Sequence, residues 1–150
     1  MKLAVLVITY LAITITSCDE NLSNNEISKI EFGTSFGICA GYCTQIVTIS
    51  EGIATKTIKP QLSQNLEEKT CSIKYAEFES LAGDVDVASF MELEEIIGCP
   101  DCADGGSEWI ELTTPQGTKK VTYEYGKEPA AVKSIIEELR KQYDLLGECE

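Results

Sequence analysis

The stretch IVTISEGIATKTI, residues 46–58, decides the expected fold of this 150-residue chain. Apolar residues recur on both sides of the Glu51-Gly52 pair, which predicts a β-hairpin with its turn at that pair. Ahead of the hairpin, residues 28–33 alternate apolar and polar side chains and predict another strand. A strand followed by a hairpin indicates an antiparallel sheet.

Two more strands are predicted in the second half of the chain, at 108–113 and 119–125. The turn between them, at 114–117, has a proline and a glycine where turns use them. The segment 59–69 holds a proline and mostly polar residues, and we predict a loop there. The residues expected to be buried in these two strands are Trp109, Ile110, Val121, Tyr123 and Tyr125.

Three segments have the apolar periodicity of helices. The first is 75–82, which carries its apolar side chains on one face. In the second, Ser89 and Glu92 have the spacing of a capping box, which would open a helix to about residue 97. The third is predicted to begin at Pro129. Its apolar stripe consists of Val132, Ile135, Ile136, Leu139 and Tyr143.

This order of elements predicts the α+β class. We expect a single small domain in which helices pack on one face of an antiparallel sheet and disulfides act as staples. The order of the elements does not by itself fix which strands pair.

The beginning of the chain predicts an export signal. The stretch 3–17 carries no charge, is too short to span a bilayer, and is typical of the apolar core of a signal peptide. It ends in Ile15-Thr16-Ser17-Cys18, which resembles a bacterial lipobox, and a polar run follows at once. We therefore expect cleavage before Cys18 and lipidation of that cysteine. The alternative is an ordinary signal peptide that contains a cysteine.

This interpretation divides the chain into a lipoprotein signal peptide at 1–17, a lipidated N-terminus with a polar tether at 18–26, and an α+β domain at 27–150. Several acyl chains on one cysteine would hold the domain stably at a membrane. The expected location is the bacterial cell envelope, on the periplasmic side of a membrane or at the cell surface. The choice of membrane and leaflet stays open.

Charge and composition exclude several functions. A formal net charge of −13 argues against nucleic-acid binding, which needs clustered lysine and arginine. The absence of histidine removes Ser-His-Asp triads, Cys-His dyads and histidine-bound metals. No serine or threonine has a recognisable activating base. We therefore predict a protein that is not an enzyme and uses no cofactor.

The cysteines predict a disulfide framework. The sequence holds seven, and lipidation of one leaves an even number, as in exported disulfide proteins. The favoured pairs are Cys39–Cys43, Cys99–Cys102 and Cys71–Cys149. The competing arrangement exchanges partners between the first two pairs, so the connectivity stays open.

Other readings of these residues remain as alternatives. The four thiolates Cys39, Cys43, Cys99 and Cys102 would suffice for a tetrahedral zinc site. Cys99-Pro-Asp-Cys102 also has the spacing of a thioredoxin-type redox motif, although its acidic neighbours disfavour a thiolate. The carboxylates of Asp101, Asp104 and Glu108 lie in a glycine-rich segment and offer oxygen ligands for calcium.

The hypothesis for function is a non-catalytic binding module that contacts an envelope protein partner. Loops on a rigid scaffold commonly carry recognition, so the contact surface is assigned to the Cys39–Cys43 and Asp101–Glu108 loops. Ile38, Tyr42 and Trp109 are the residues expected to make the contacts.

The motif Cys39-Ala-Gly-Tyr-Cys43, between a strand and a hairpin, resembles the C-x-G-x-C loop of an uncharacterised family of bacterial lipoproteins and secreted proteins with a domain of unknown function. The similarity extends over about 27–143, although Thr44 stands where that family usually has proline. The resemblance implies an exported α+β domain and carries over no activity.

Overall fold

The structure is a computed structural model that describes residues 26–61 and 65–147. The predicted signal peptide, Cys18, nearly all of the tether and Cys149 lie outside these ranges. The strands are β1 (Lys29–Ser35), β2 (Tyr42–Ser50), β3 (Ile53–Pro60), β4 (Lys69–Lys74), β5 (Ile96–Ile97), β6 (Ser107–Thr114) and β7 (Gly117–Glu124). The α-helices are α1 (Phe78–Gly83), α2 (Val87–Glu92) and α3 (Lys133–Leu145), and short 3₁₀ turns occupy Cys102–Asp104 and Ala130–Val132.

All seven strands form one sheet in the order β4-β3-β2-β1-β6-β7-β5. Neighbouring strands are antiparallel except at one edge, where β5 pairs parallel to β7. The sheet is therefore mixed, and the prediction of a purely antiparallel sheet is wrong at the β5 edge. A two-residue parallel strand has almost no sequence signal of its own, which explains the error.

The hairpin predicted from residues 46–58 is confirmed as β2–β3. Ser50 pairs with Ile53 across the turn, and Glu51 and Gly52 both have positive φ, at 49° and 75°. Two left-handed central residues make a turn whose twist matches that of the flanking strands, and glycine adopts this conformation without cost. The turn therefore fixes the pairing register of β2 and β3.

Register and alternation place most of the buried apolar side chains of the strands on a single face, called here the core face. Ile30 of β1 lies opposite Ile49 of β2 and Leu112 of β6, and all three are fully buried. The same core cluster contains side chains from each helix, among them Phe90 and Leu139. The other face, called the outer face, carries many threonines and serines, some of which pair across strands.

The apolar stripe of the C-terminal helix is confirmed, although the helix begins at Lys133 and not at the predicted Pro129, so Val132 lies in the 3₁₀ turn before it. Val132, Ile135, Ile136 and Leu139 are buried and belong to the core cluster, and Tyr143 packs against it. Each such aliphatic side chain contributes about 1.5–3 kcal/mol when it leaves water. The stripe is therefore the main reason that α3 is stable.

Two lysines of the core face bind the carbonyl oxygens at helix C-termini. Lys56 of β3 is 5% exposed, and its Nζ donates to the Gly147 carbonyl at 2.5 Å, just past α3. Lys119 of β7 donates to the carbonyls of Met91 and Leu93 at 2.6 and 2.5 Å, where α2 ends. Cations at these positions satisfy orphaned carbonyls and complement the helix dipole.

The loop predicted at 59–69 is shorter than expected, because β3 continues to Pro60 and β4 begins at Lys69. The strand β4 is not predicted from the sequence at all. This strand lies at the edge of the sheet and leaves most of its side chains exposed, so it lacks the apolar alternation that marks a half-buried strand.

The second predicted helix differs from the structure at both ends. Asp86 is the N-cap of α2, and its carboxylate accepts from the backbone N–H of Ser89 at 3.1 Å. Ser89 is thus inside the helix instead of capping it, and Glu92 is the last residue. The predicted continuation to 97 is wrong, because Leu93 is extended and the chain then forms β5.

The predicted burial in β6 and β7 is right for Trp109, Ile110, Val121 and Tyr123, which are at most 7% exposed. It is wrong for Tyr125, which is 49% exposed. Tyr125 follows the last residue of β7 and therefore lies beyond the end of the strand.

Candidate functional site

Both local disulfides predicted from the sequence are present. Cys39 pairs with Cys43 and Cys99 pairs with Cys102, at Cα–Cα distances of 5.7 and 5.5 Å. The competing exchange of partners between these pairs is therefore wrong. Cys71 is also disulfide-bonded, and Cys149, its predicted partner, lies outside the described residues.

The two disulfide-bearing loops meet at one end of the sheet, called here the disulfide end. The backbone N–H of Gly37 donates to the Asp101 carboxylate at 3.3 Å. Gln61, which follows β3, donates from its side chain to the Gly37 carbonyl at 2.9 Å. Segments more than 60 residues apart in the chain are thereby joined into one surface.

Aromatic side chains fill the space behind these loops. The rings of Phe36 and Tyr125 lie 4.9 Å apart between centroids at a tilt of 56°. Gly106 lies so close to Phe36 that a Cβ at this position would come within 2.4 Å of the ring, and its φ of +79° also requires glycine. Gly106 therefore allows the second loop to approach the first.

The loop that carries Cys102 has an unusual backbone. Asp101, Ala103 and Asp104 all have left-handed φ angles, at 60°, 53° and 58°. Residues with a Cβ adopt this region at a cost of order 1–3 kcal/mol each, so their surroundings have to hold them there. Two hydrogen bonds help to keep Asp101 in this conformation. Its backbone N–H donates to the Gly106 carbonyl, and its carboxylate accepts from the Gly37 backbone N–H.

The three residues predicted to make binding contacts occupy different positions. Ile38 is 75% exposed at the tip of the first loop, and Tyr42 is the half-buried first residue of β2 beside it. Trp109 is 7% exposed and lies on the outer face. Its Nε1 donates to Glu31 at 3.1 Å, and Lys120 lies 4.1 Å from the centroid of its rings. Ile38 and Tyr42 thus both belong to the region of the Cys39–Cys43 loop, whereas Trp109 lies on the outer face of the sheet.

The residues suggested as metal ligands are not brought together. Cys39, Cys43, Cys99 and Cys102 are used in disulfides. The carboxylate of Asp101 accepts from Gly37, whereas that of Glu108 lies in the interior. Within 26–61 and 65–147, no group of three or more histidine, cysteine, aspartate or glutamate side chains is arranged to hold a metal.

A buried ion pair near the disulfide end was not anticipated from the sequence. Glu108 is 1% exposed, and both of its carboxylate oxygens accept from Nη2 of Arg140, at 3.0 and 2.8 Å. The backbone N–H of Gly126 donates to the same carboxylate at 3.2 Å, and Glu128 lies 3.3 Å from Nη2 on its other side. Glu108 is therefore fully satisfied despite its burial.

The pKa values around this pair follow from its contacts. Burial acts to lower the pKa of Arg140, but the hydrogen bonds with Glu108 and Glu128 outweigh it and raise that pKa. The pKa of Glu128 is lowered, chiefly by a hydrogen bond from its own backbone and then by Arg140. Burial, reinforced by the charge of Glu108, raises the pKa of Tyr123. Arg140 and Glu128 are thus charged at neutral pH.

The ion pair forms part of a cleft of about 350 Å³ on the core-face side of the sheet, next to the disulfide end. Phe36 and Tyr125 line it from the loops, and Arg140, Tyr143 and Asp144 line it from α3. The cleft combines exposed aromatic rings with convergent polar groups, as small-molecule sites commonly do.

The chain matches no protein-family model, and no curated protein matches it either. The resemblance of its C-x-G-x-C loop to a lipoprotein family therefore stays an expectation. Among the described residues, no helix is long and apolar enough to cross a membrane.

Proposed function

We propose that the chain is a lipid-anchored protein of the bacterial envelope whose α+β domain acts by binding a protein partner and not by catalysis. The recognition surface in this proposal is the disulfide end. The observation that carries it is the hydrogen bond between Gly37 and Asp101, because it joins the two loops that the sequence predicts as the contact surface. Ile38 stands out from this surface with 75% of its area exposed.

The direction of β1 supports this assignment. Glu26 and Ile27, where the described chain begins, lie next to Glu51 and Gly52 of the β2–β3 turn, at the opposite end of the sheet from the disulfides. The seven residues of β1 then span roughly 23 Å to the disulfide end. A lipid on Cys18 would tether the domain from the first end, so the disulfide end would point away from the membrane.

The disulfides would make this surface rigid before a partner arrives. Cys39–Cys43 and Cys99–Cys102 each close a short loop, which reduces the number of conformations that the loop can adopt. A preorganised loop loses less conformational entropy on binding, so more of the contact energy appears as affinity.

The proposal also includes the finer architecture, in which the helices pack on one face of the sheet. The support is the shared composition of the core: strand residues that lie on the core face by register cluster with Phe78 of α1, Phe90 of α2 and Ile136 of α3. Such an arrangement would leave the outer face and the disulfide end for contacts.

Site-specific photocrosslinking in cells that produce the full chain tests the recognition surface. A photoreactive amino acid at Ile38 is expected to give a discrete crosslinked product, which Tyr42→Ala should weaken. The matched control is the same probe at Ile53, which is 48% exposed at the opposite end of the sheet. Equal crosslinking from both positions, or none from Ile38, would contradict the assignment.

The lipid anchor is tested separately by intact mass. The full chain should lose residues 1–17 and gain acyl mass, and Cys18→Ala should abolish both changes. The same spectrum counts disulfides, because each one lowers the mass by two hydrogens relative to the reduced chain.

A second candidate is thiol–disulfide exchange at Cys99–Cys102, and the exposure of both cysteines favours it. Against it, the carboxylate of Glu124 accepts from the Cys99 backbone N–H at 3.2 Å, and Asp101 lies between the cysteines. Negative groups disfavour the thiolate that exchange requires. Slow alkylation of the reduced pair at neutral pH would remove this candidate.

A further inference from the structure

The geometry points to a second binding site, for a neutral sugar residue, in the cleft between α3 and the disulfide end. This site is independent of the lipid anchor and of the surface around Ile38. It is inferred from three properties of the cleft: its hydrogen-bonding groups, its net charge and its aromatic walls.

The hydrogen-bonding capacity of Arg140 is only partly used. Its hydrogen bonds to Glu108 and Glu128 all come from a single nitrogen, Nη2. Within the part of the chain that the structure describes, Nη1 and Nε donate no hydrogen bond, and the side chain is 36% exposed. The guanidinium lies 5.7 Å from the ring of Phe32, and the ion pair holds it in place. Arg140 therefore presents fixed donors to a ligand in the cleft.

Acceptors lie beside these donors. Asp144 is exposed one helical turn after Arg140, and both line the cleft, as do Gln45 and Thr34 from the neighbouring strands. A hydroxyl group both donates and accepts, so adjacent hydroxyls can satisfy a guanidinium and a carboxylate together. A purely apolar ligand would instead bury the remaining donors of Arg140 without partners, which costs about 1–3 kcal/mol for each group.

The charge of the site selects against ions. Three carboxylates lie at or beside the cleft, those of Glu108, Glu128 and Asp144. The cations are Arg140 and Lys56, whose Nζ lies 3.5 Å from the centroid of the Tyr143 ring. The net charge of these five side chains is −1, which disfavours the binding of an anion. Arg140, at the centre of the cleft, repels a cation. A neutral ligand meets neither penalty.

The aromatic rings suit a pyranose more than a peptide. Tyr125 is 49% exposed and Phe36 is half-buried beside it, so flat apolar surface is available for the C–H face of a sugar ring. An extended peptide would need a free strand edge, but the cleft lies against β1, β2 and β6, which already have strands on both sides. The cleft volume of about 350 Å³ lies at the small end of the range for ligand sites.

Saturation-transfer NMR with the purified full chain tests this inference. The probes are glucose, galactose, mannose and N-acetylglucosamine, with glucuronate as an anionic probe and glucosamine as a cationic probe. At least one neutral sugar is expected to receive saturation and to bind more tightly than both charged probes. No transfer to any neutral sugar at up to about 50 mM, or tighter binding of a charged probe, would overturn the inference.

Two variants locate the binding. Tyr125→Ala and Asp144→Ala alter exposed side chains of the cleft. Each should lower the affinity for the sugar at least about tenfold, the equivalent of about 1.4 kcal/mol. The matched controls are Ile96→Ala and Asp84→Ala, which alter exposed side chains outside the cleft and should leave binding unchanged. If the controls weaken binding as much as the cleft variants, the sugar binds elsewhere and the inference is wrong. Crosslinking from position 38 reports on the protein partner alone, so the two proposals can fail separately.

Discussion

Trp109 lies directly opposite Gly33 in the β1–β6 ladder, and its indole occupies the space that a side chain at position 33 would need. A Cβ on Gly33 would come within 2.1 Å of the indole. The indole therefore covers the backbone of a central strand, and hydrogen bonding to Glu31 at 3.1 Å holds it there. This contact gives Trp109 a role in packing, and its predicted role in binding stays a prediction.

Gly33→Ala should destabilise the domain, because either the indole or the strand has to move. We expect a loss of about 1–3 kcal/mol, as for other overpacked positions. Chemical denaturation measures the loss, and the fluorescence of the single tryptophan reports displacement of the indole. Gly83→Ala is the control. Within the described part of the chain, an added Cβ there would have no atom within 4 Å apart from its chain neighbours and the backbone of its own helix, so the free energy of unfolding should stay the same or rise slightly.

Breaking the Glu108–Arg140 pair should cost far more than breaking an exposed pair. Arg140→Ala leaves the carboxylate of Glu108 buried without its partner, and the expected loss is about 2–4 kcal/mol. The figure lies below that of a fully enclosed pair because the Arg140 side chain is 36% exposed. Lys141→Ala removes the exposed Lys141–Glu138 pair, which solvent screens, and should change the free energy of unfolding much less than Arg140→Ala does.

A double-mutant cycle separates the pair from the surrounding packing. Glu108→Gln with Arg140→Ala should be less destabilised than the sum of the two single variants, because the buried charge is gone. Strict additivity in urea unfolding would show that the two side chains do not interact in solution.

Sequence patterns were sufficient where the determining contacts are local. The β2–β3 hairpin and the stripe of α3 depend on residues within one or two turns of chain, and both were predicted. The cysteine pairs Cys39–Cys43 and Cys99–Cys102 are also local, because each spans at most four positions. Their spacing alone favoured them over longer connections.

The candidate sites depend on contacts that are distant in sequence. Arg140 meets Glu108 across 32 positions, and Gly37 meets Asp101 across 64. Only strand register and helix placement create such contacts. One signal in the sequence nonetheless points to the position of Glu108. It lies on the same face of its strand as Ile110 and Leu112, which predicts a buried side chain and not a calcium ligand in an exposed loop.

Replacing Lys56 should loosen the end of α3. Lys56→Ala removes the hydrogen bond to the Gly147 carbonyl and the ammonium over the ring of Tyr143, so we expect a loss of about 1–3 kcal/mol. Amide hydrogen exchange should become faster in the last turn of α3, whereas the exchange rates in the sheet should change less. The control Lys59→Ala alters an exposed lysine paired with Glu68 and should change stability by less than about 1 kcal/mol.

Tyr123→Phe should be neutral or stabilising. The hydroxyl of Tyr123 is buried and has no hydrogen-bond partner in the described part of the chain, so its removal relieves an unsatisfied group. We expect the free energy of unfolding to stay equal or to rise by up to about 1 kcal/mol. A clear loss of stability on denaturation would mean that the hydroxyl is bonded in solution.

Stability should fall in acid partly because Glu128 becomes protonated. Its pKa is lowered from 4.5 in the folded state by a hydrogen bond from its own backbone and by Arg140. A carboxyl group with a lowered pKa in the folded state contributes stability that is fully present above the unfolded value and is lost as the pH falls through the folded value. The free-energy difference between wild type and Glu128→Gln should therefore be constant near neutral pH and shrink below about pH 4.5. Unfolding measured across that range, with an NMR titration of the Glu128 carboxyl, checks both the sign and the window. A difference that instead grows on acidification would show that the folded state raises the pKa of Glu128, and that Arg140 does not stabilise its charge.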